Sequence, residues 1–236
     1  MVLAFNQLGT PKRILLDLTK HPHVIFVGST GSGKTFSSRY FIAALSAQIK
    51  DSQLILCDFK GDADFSAFSD FPSVYRYQEV KQGINHFVEL FRLRQTNDSV
   101  ERTPLFLFID EWAAFLTLLD KKEAEQYKKL LAELLMLGRS FNIHVILSLQ
   151  RADASYFYQG TRDNFPIRIG LGKLSRESKT MMFPDLENYK PLGIGKGYLQ
   201  ISENDPIQIE VPQYSISQAE ELIKICLKRT SELAKR

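Results

Sequence analysis

HVIFVGSTGSGKT, residues 23–35, carries the strongest structural signal in this 236-residue chain. Residues 23–27 form a short apolar run with β-branched members that stops at Gly28, a pattern typical of a buried parallel strand. A helical segment follows the glycines, and its apolar residues recur at helical spacing. These residues are Phe36, Tyr40, Phe41, Ala44, Leu45 and Ile49. The sequence therefore predicts a strand, a glycine loop and a helix in direct succession.

The glycine loop GSTGSGKT matches the phosphate-binding pattern G-x-x-x-x-G-K-[ST]. Backbone N–H groups approach phosphate oxygens only where side chains do not obstruct them, and the following helix directs its positive end at the anion. We expect Lys34 to reach the terminal phosphates and Thr35 to ligate Mg²⁺. An ordinary glycine turn is the alternative interpretation. The candidate nucleotide-binding residues are Gly28, Ser29, Thr30, Gly31, Ser32, Gly33, Lys34 and Thr35.

A second apolar run, LFLFI at residues 105–109, ends in Asp110 and Glu111. In a P-loop protein, an acidic residue at the carboxyl end of a neighbouring strand completes the Mg²⁺ shell, and that role suits Asp110. The next carboxylate, Glu111, is placed to accept a proton from water attacking the γ-phosphate, which favours a hydrolase over a passive binder. The alternative is that both acids only begin a helix, where the dipole favours negative charge.

Gln150 ends another buried strand, and strand ends converge on the ligand in sheets of this kind. A neutral amide at that position suits a sensor of the γ-phosphate or a holder of the attacking water, although a surface glutamine is the simpler interpretation. Arginines in this part of the chain are candidates for an arginine finger, which neutralises charge on the transferring phosphoryl group. They are Arg139, Arg151, Arg162 and Arg168.

Buried strands alternate with amphipathic helices along the chain, which indicates an α/β fold with a mainly parallel sheet. Further strands are predicted at residues 53–57, 73–77, 105–109, 143–150, 167–171, 197–201 and 207–211. Helices are predicted at residues 79–95, 112–119 and 122–137, and from 216 onward. In the first of these, Arg94 falls outside the apolar face. Gly138 is a candidate C-cap for the third, and Ser215 or Ser217 begins a capping box for the last.

The composition is that of an ordinary globular protein, with 44% hydrophobic and 24% charged residues. The sequence shows neither an apolar stretch of about 18 residues nor a secretion signal, so we expect a cytoplasmic protein. Cys57 and Cys226 do not suggest a disulfide framework, and no Cys/His cluster suggests structural zinc. The net charge of +3 is too small to identify a nucleic-acid partner. A basic group near the C-terminus is either a solvated helix face or a binding patch: Lys224, Lys228, Arg229, Lys235 and Arg236.

A series of motifs, in order, resembles the FtsK/HerA branch of RecA-like DNA-pumping ATPases. The lead-in LLDLTKHPHVIFVGSTGSGKT contains the family's Pro-His pair and its TGSGK loop, the Walker A element. DFKGD at residues 58–62 resembles the Asp-Pro-Lys-Gly element, and LFLFIDEW resembles the acidic Walker B strand. LGRSFNIHVILSLQRADA and RDNFPIRIGLGKLS, followed by GIGKGYLQ, are similar in order and spacing to the remaining elements. The resemblance extends from about Leu8 to Ile201.

The resemblance implies a RecA-like P-loop ATPase that uses ATP and Mg²⁺ and works as a hexameric ring on DNA. By position it implies Lys34 and Thr35 for phosphate and metal, Asp110 for metal, Glu111 as catalytic base and Gln150 as γ-phosphate sensor. The finger then comes from the next subunit, with Arg139 as first candidate and Arg168 as second. A motor domain is expected over residues 1–212, and a C-terminal basic helix packed on the same domain over residues 213–236.

Within that family the sequence looks most like FtsK-type coupling proteins of conjugative and other mobile elements, which implies a relaxase or a replication or transfer protein as a partner. Phe59 departs from the family pattern, because it replaces the usual proline after Asp58. Candidate DNA contacts are the polar loop at residues 96–103 and four lysines, although a solvated helix face explains the lysines equally: Lys121, Lys122, Lys128 and Lys129. Two alternatives remain: a related secretion motor that moves protein, and a nucleotide-gated assembly factor with negligible turnover.

Overall fold

The computed structural model describes residues 2–233, and these contain one sheet of ten strands. The strands are β1 Val2–Gln7, β2 Arg13–Asp17, β3 Val24–Gly28, β4 Gln53–Asp58, β5 Val74–Arg76, β6 Leu105–Asp110, β7 Ile143–Leu149, β8 Ile167–Leu171, β9 Lys196–Ile201 and β10 Ile207–Glu210. Their spatial order is β2-β1-β10-β9-β8-β3-β7-β6-β4-β5. The six strands from β8 to β5 are parallel, and the four from β9 to β2 add in antiparallel fashion. The predicted α/β fold with a mainly parallel sheet is confirmed.

Six helices cover the two faces of this sheet. They are α1 Lys34–Gln48, α2 Val80–Thr96, α3 Trp112–Thr117, α4 Lys121–Leu137, α5 Arg176–Met182 and α6 Ile216–Leu233. Helices α1 and α6 pack on one face, where Phe41 and Ile223 join a core with Phe26. Helices α2 to α5 share the core on the opposite face. Alternate residues of the central strands enter the two cores, and therefore these strands are apolar along their whole length.

Helix α2 follows the predicted pattern except at its last turn. Ile84, Phe87 and Phe91 are buried as the periodicity predicts, but Arg94, which was expected outside the apolar face, is only 3% exposed. Its guanidinium donates to the carbonyl oxygens of Phe141 at 2.9 Å and Asn142 at 3.3 Å. Burial, together with the neighbouring charge of Arg102, lowers the Arg94 pKa to about 10. The side chain is retained in the interior because it satisfies backbone acceptors there.

Helix α4 ends differently from the expectation. Gly138 is its C-cap, but the backbone there stays right-handed at φ −56° and continues into the 3-10 turn Gly138–Phe141. The left-handed residue is Asn142, at φ 54°. Limited space favours glycine at 138, because a Cβ there would make a tight contact of 3.1 Å with the Ile143 carbonyl oxygen. The reversal into β7 therefore depends on Asn142.

The N-terminal hairpin β1–β2 and the short helix α5 were not predicted. Strand β1 pairs with β10 and β2, which extends the antiparallel side of the sheet. In β2 exposed and buried residues alternate over only five positions. So short a polar alternation resembles a loop in sequence, and its strand identity comes from the partner strands.

Helix α6 packs on α1 and β4 through polar as well as apolar contacts. Thr230 Oγ1 accepts from the Leu54 N–H at 2.9 Å, and Arg229 donates to the carbonyl oxygens of Ser46 and Ile49 at the end of α1. Arg229 thus caps a helix C-terminus, where a cation is favourable. Ser215 Oγ accepts from the Gln218 N–H at 3.4 Å, as one of the two predicted capping boxes requires. Lys235 and Arg236 lie outside the described residues.

Candidate active site

The candidate site lies at the carboxyl ends of β3, β7 and β6. The glycine loop follows β3, Gln150 follows β7, and Asp110 and Glu111 end β6. The acidic strand was expected next to the P-loop strand, but β7 lies between them and pairs with both. Since the three strands are parallel, their ends still meet at one edge of the sheet. The intervening strand adds a residue to the site that sequence reasoning missed.

Gly33 links the loop to α1 in a conformation that favours glycine. Its φ is +87°, and it serves as the N-cap, with its carbonyl oxygen accepting from the Ser37 N–H at 2.9 Å. A Cβ at Gly33 would lie 2.8 Å from the Gly195 nitrogen. Both the dihedral angle and the close approach therefore require glycine at this position.

Lys34 joins the predicted residues into one cluster. Its Nζ lies 3.0 Å from Glu111 Oε1 and 3.2 Å from Asp110 Oδ1, and it donates to Ser148 Oγ at 2.7 Å. All four residues are buried. Burial lowers the Lys34 pKa, but the charges of Asp110 and Glu111 act in the opposite direction, and the net shift is upward. The ammonium group is therefore held charged between two carboxylates.

Ser148 was not predicted as a site residue. It lies in β7 two residues before Gln150, and its hydroxyl is the closest partner of Lys34. The available signal was a hydroxyl in a strand whose other residues, apart from His144, are apolar, since a buried hydroxyl needs a hydrogen-bond partner.

Glu111 has a backbone conformation that is uncommon for its residue type. Its φ is 58° and its ψ is 50°, in the left-handed region, at the junction between β6 and α3. This turn directs the carboxylate to Lys34 instead of letting it continue the strand direction. An observed left-handed glutamate that belongs to a buried polar cluster is consistent with a functional constraint on the backbone.

A cavity of about 380 Å³ opens over this cluster. Six of the eight predicted nucleotide-binding residues line it, together with Asp110, Glu111 and Gln150. Gly28 and Ser32 do not line it; the Ser32 side chain is buried beneath the loop, and its hydroxyl has no partner among the described residues. The full lining is Ser29, Thr30, Gly31, Gly33, Lys34, Thr35, Phe36, Lys60, Asp62, Asp64, Asp110, Glu111, Gln150 and Ile194.

The segment after β4 contributes Lys60, Asp62 and Asp64 to the cavity, which the sequence did not predict. Asp58 holds its turn, accepting from the Gly61 N–H at 2.9 Å and from Arg76 Nε at 3.1 Å. Burial raises the pKa of Asp58, and the Arg76 hydrogen bond only partly offsets the rise.

Phe59 stands where the family pattern has proline, and its ring packs edge-on against Phe115 with centroids 5.8 Å apart. The departure therefore has a packing role: it ties the turn after β4 to α3, the helix that follows Glu111.

The donor set of the cavity fits Mg²⁺. Thr35 offers a hydroxyl and Asp110 a carboxylate beside the phosphate loop, and Mg²⁺ is commonly held by one or two protein oxygens together with substrate phosphates and water. Within residues 2–233, no group of three or more His, Cys, Asp or Glu side chains forms a protein-only metal site. The geometry thus suits a metal that arrives with a nucleotide.

Three of the four candidate arginines, Arg139, Arg151 and Arg168, lie away from this cavity. Arg139 is exposed in the turn before β7, near the amino ends of the parallel strands, whereas the P-loop lies at their carboxyl ends. Arg168 lies in β8, donates through Nε to the Phe165 carbonyl oxygen at 3.2 Å and approaches Asp163 at 3.9 Å. Arg151 is exposed and approaches Glu177 at 3.6 Å, and Arg162 lies in the turn Thr161–Asn164. The side chains of Arg139, Arg151 and Arg168 do not line the cavity of their own chain.

Two further features of the structure concern the cysteines and the character of the helices. Cys57 and Cys226 are free and buried, in cores on opposite faces of the sheet. None of the helices within the described part of the chain has the length and apolar character that crossing a bilayer requires.

Comparison with known proteins identifies the family that this site resembles. The model of the FtsK/SpoIIIE family matches residues 2–100, which include the P-loop. The FtsK domain-containing protein YdcQ of Bacillus subtilis is 28% identical over 221 residues, covering 85% of this chain and 45% of that protein. The DNA translocase FtsK of Haemophilus influenzae is 24% identical, covering 72% of this chain and 41% of that protein. The chain thus spans less than half the length of these two relatives.

Solved structures with the same fold include the pCW3 conjugation coupling protein TcpA, with a TM-score of 0.74 and 20% identity over 95% of this chain and 70% of that one. The cytoplasmic domain of the type VII secretion ATPase EccC of Thermomonospora curvata has a TM-score of 0.71 and 20% identity over 98% of this chain and 31% of that one. At such identities the structural matches establish the fold alone. Together with the family model and the P-loop geometry, they confirm the resemblance drawn from the sequence: this chain is similar in sequence and fold to FtsK-like P-loop ATPases.

Proposed function

We propose that this chain is an ATP-hydrolysing motor that moves DNA and works as a ring oligomer, with a hexamer as the expected state. The observation that carries the proposal is the convergence of Lys34 with Asp110 and Glu111, at 3.2 and 3.0 Å, beneath the glycine loop. A passive nucleotide binder needs the loop and the metal carboxylate. The second carboxylate, held in a left-handed turn, is the element that hydrolysis requires.

The residues divide the work as follows. Lys34 binds the terminal phosphates, and Thr35 and Asp110 hold Mg²⁺, which neutralises charge on the phosphoryl group. Glu111 accepts the proton of the attacking water, and Gln150 at the cavity wall senses the γ-phosphate. Because Lys34 neutralises Glu111 in this structure, engagement of Lys34 by phosphate frees that carboxylate to act as a base. The TcpA structure contains ATPγS, which supports ATP as the nucleotide.

The ring proposal rests on the lining of the cavity, as far as the described side chains show it. Hydrolysis by P-loop motors is accelerated by an arginine at the γ-phosphate, and no arginine lines this cavity within the described residues. Arg139 is exposed near the amino ends of the parallel strands. A residue that acts in the site of a neighbouring subunit must be exposed in the single chain. We therefore propose Arg139 as the finger in trans, with Arg168 as second candidate.

DNA as the cargo is supported by relatives named DNA translocases. The outer side of α4 presents Lys121, Lys122 and Lys129 to solvent, and backbone phosphates bind such lysines without sequence reading. The loop at residues 96–103 is a second candidate contact. The similarity to TcpA favours transfer of a mobile element, with a relaxase or another transfer or replication protein as partner, in the cytoplasm.

A secretion motor is the second candidate, favoured by the fold similarity to EccC. It keeps the same ATP site and moves protein instead of DNA. The third candidate is an assembly factor with negligible turnover. Such a protein does not need a catalytic base, so the position of Glu111 argues against it.

ATP turnover separates the three. We would measure it without polymer, with duplex and with single-stranded DNA, at several protein concentrations and a fixed, stated salt concentration. A DNA motor predicts stimulation by one of the two DNAs and a rise in specific activity with concentration as rings form. A rate of ATP turnover that does not change when DNA is added contradicts the DNA proposal and favours a protein cargo. Absence of turnover under every condition contradicts both motors, and Lys34→Ala controls for contaminating ATPases.

A further inference from the structure

A polar cavity of about 650 Å³ shares none of its described lining residues with the phosphate cavity. It opens where β8 begins and the antiparallel strand β9 ends, which is at the amino ends of the parallel strands. Arg168 and Gln200, which face each other across this strand pair, form part of its wall. The polar residues of the described lining are Asp163, Arg168, Asp185, Gln200, Ser202 and Glu203. Three of these side chains are carboxylates and one is a cation.

Gln200 carries an oxygen that lacks a hydrogen-bond donor. The residue is 6% exposed, and its Oε1 has no partner among the described residues. Its Nε2 donates to the Asn204 carbonyl oxygen at 3.0 Å, and because a carbonyl oxygen only accepts, this bond identifies which end of the amide is the oxygen. A buried acceptor without a donor is unfavourable. A ligand that donates a hydrogen bond from the cavity would remove this cost.

Two exposed carboxylates of the lining have no cation beside them. Asp185 follows α5 and Glu203 follows β9, and neither forms an ion pair with another described residue. The cation of the lining, Arg168, already donates to the Phe165 carbonyl oxygen at 3.2 Å and approaches Asp163 at 3.9 Å. The cavity therefore favours a positively charged hydrogen-bond donor.

A guanidinium group suits this cavity better than a metal ion or an ammonium group. Within the described part of the chain, no cluster of His, Cys, Asp and Glu could hold a metal ion. The acceptors come from β9 and from the segments after α5 and β9, and a planar guanidinium directs five N–H donors to several acceptors at once. An ammonium group is more strongly hydrated, so it loses more hydration free energy in a partly buried site.

The cavity lies on the same side of the chain as Arg139. Ser202 Oγ is 3.1 Å from His21 Nδ1. Burial lowers the pKa of His21, and the charge of Arg139 contributes to that shift, so Arg139 lies near this part of the cavity wall. If Arg139 acts in the phosphate cavity of a neighbouring subunit, this side of one chain faces the phosphate side of the next.

Arg151 is an arginine that the phosphate side presents to such a neighbour. It directly follows Gln150, which lines the phosphate cavity, and its side chain is 69% exposed. Its ion pair with Glu177, at 3.6 Å, joins two exposed side chains, and pairs of that kind contribute little to stability. The Arg151 guanidinium is therefore available to a partner.

We propose that the polar cavity binds a guanidinium group, and that in the oligomer this group is Arg151 of a second copy of the chain; the second part rests on the proposed function. The guanidinium donates to Gln200 Oε1 and pairs with Asp185 and Glu203. Each subunit then carries the basic side chain on its phosphate side and the acidic cavity on the other side, as a head-to-tail contact in a ring requires.

Small probes test the chemistry of the cavity. We would titrate the full chain, at a concentration where it is monomeric, with N-acetyl-arginine methylamide and with its citrulline counterpart, which has the same shape and no charge. The arginine probe is expected to bind at least about tenfold more tightly, because only its charge pairs with the carboxylates. The double variant Asp185→Asn, Glu203→Gln should weaken arginine binding about fivefold. Glu187→Gln, at an exposed glutamate outside the cavity, is the matched control.

The buried acceptor is tested by Gln200→Met, which keeps the length of the side chain and removes its oxygen. This variant should also weaken binding of the arginine probe about fivefold. Equal binding of the two probes, or arginine binding that the carboxylate variants leave unchanged, overturns the guanidinium site. Absence of ATP binding by the wild type overturns the proposed function and leaves the result with the probes standing.

Charge reversal tests the source of the guanidinium. By sedimentation equilibrium of the full chain, Arg151→Glu and Glu203→Arg should each raise the dissociation constant of the oligomer at least about fivefold. Both changes in one chain restore opposite charges across the contact, so association should return to within about twofold of the wild type. Arg13→Glu, on edge strand β2, controls for the loss of a positive charge.

A double variant that associates no better than the two single variants overturns Arg151 as the source and assigns the guanidinium to another protein. A wild-type chain that stays monomeric at every concentration contradicts the proposed ring and the neighbouring subunit as the source, while the probe titrations still decide the guanidinium site.

Discussion

The Nζ of Lys34 lies 3.0 Å from Oε1 of Glu111, and both side chains are buried. The phosphate-binding lysine and the proposed catalytic base thus neutralise each other in the free protein. A nucleotide has to separate the pair before either residue performs its proposed role. Two predictions follow from that contact and two from other parts of the fold.

Glu111→Gln should preserve ATP binding and reduce turnover by at least about a hundredfold, because an amide does not accept the proton of the attacking water. Equilibrium binding of a fluorescent ATP analogue and steady-state phosphate release measure the two effects. Glu187→Gln, at an exposed glutamate outside the proposed sites, serves as the control and should leave both at wild-type values. Unchanged turnover in Glu111→Gln would remove this residue as the base.

Lys34→Ala should lower the free energy of unfolding of the nucleotide-free protein by about 3 kcal/mol, because it leaves Asp110 and Glu111 buried without their cation. Adding Glu111→Gln to Lys34→Ala should recover part of this loss. The double-mutant cycle by urea unfolding should therefore give a coupling energy above about 1 kcal/mol. Strictly additive effects would show that the pair contributes no net interaction.

Acidification should destabilise the fold through two buried histidines. Burial lowers the pKa of His23 to about 3 and that of His144 to about 4, so the folded state stays unprotonated where the unfolded chain, with a pKa near 6.5, binds protons. Stability is therefore lost as pH falls from about 6.5 towards 4, by about 1.4 kcal/mol per pH unit for each histidine.

His23→Asn tests this by urea unfolding at several pH values. Asparagine keeps an acceptor for the Val145 N–H that His23 Nδ1 now accepts at 3.1 Å, and it does not titrate. The variant should lose less stability between pH 6.5 and 4.5 than the wild type does. Equal losses in the two proteins would contradict a buried neutral His23.

Arg139→Ala subunits should lower the ATP turnover of wild-type subunits in mixed oligomers, if the proposed finger acts across an interface. ATP turnover should then fall below the fraction of wild-type protein present. Arg13→Ala, at an exposed arginine on edge strand β2, is the control and should leave the mixture at full activity. Activity strictly proportional to the wild-type fraction would assign Arg139 no role in a neighbour's site.

Gln150 shows how a local signal identified the position of a candidate residue before any contact was known. Parallel strands end at one edge, so a polar residue directly after β7 had to lie near the glycine loop, and it does line the cavity. Its neighbour Ser148 went unnoticed, because its only signal was a hydroxyl within an apolar strand, and its partner Lys34 is 114 positions away.

Arg94 and Ile194 are residues whose positions local sequence patterns did not predict. Periodicity placed Arg94 outside the apolar face, yet carbonyl oxygens of a distant turn made its burial favourable. No local pattern indicated Ile194, which lines the candidate cavity in a turn that Gly195 joins to the phosphate loop by donating to the Ser32 carbonyl oxygen at 2.9 Å.

The sequence by itself determined the α/β fold class and the main residues of the candidate site. The glycine loop and the acids at a strand end are local patterns, and each is typical of one kind of chemistry, the binding of phosphate and of a metal ion. Only the tertiary structure decided that β7 separates the P-loop strand from the acidic strand, that Ser148 and the segment after β4 contribute to the site, and that Arg139, Arg151 and Arg168 lie outside it. Strand order and side-chain burial are set by contacts between residues far apart in the chain, which no local pattern records.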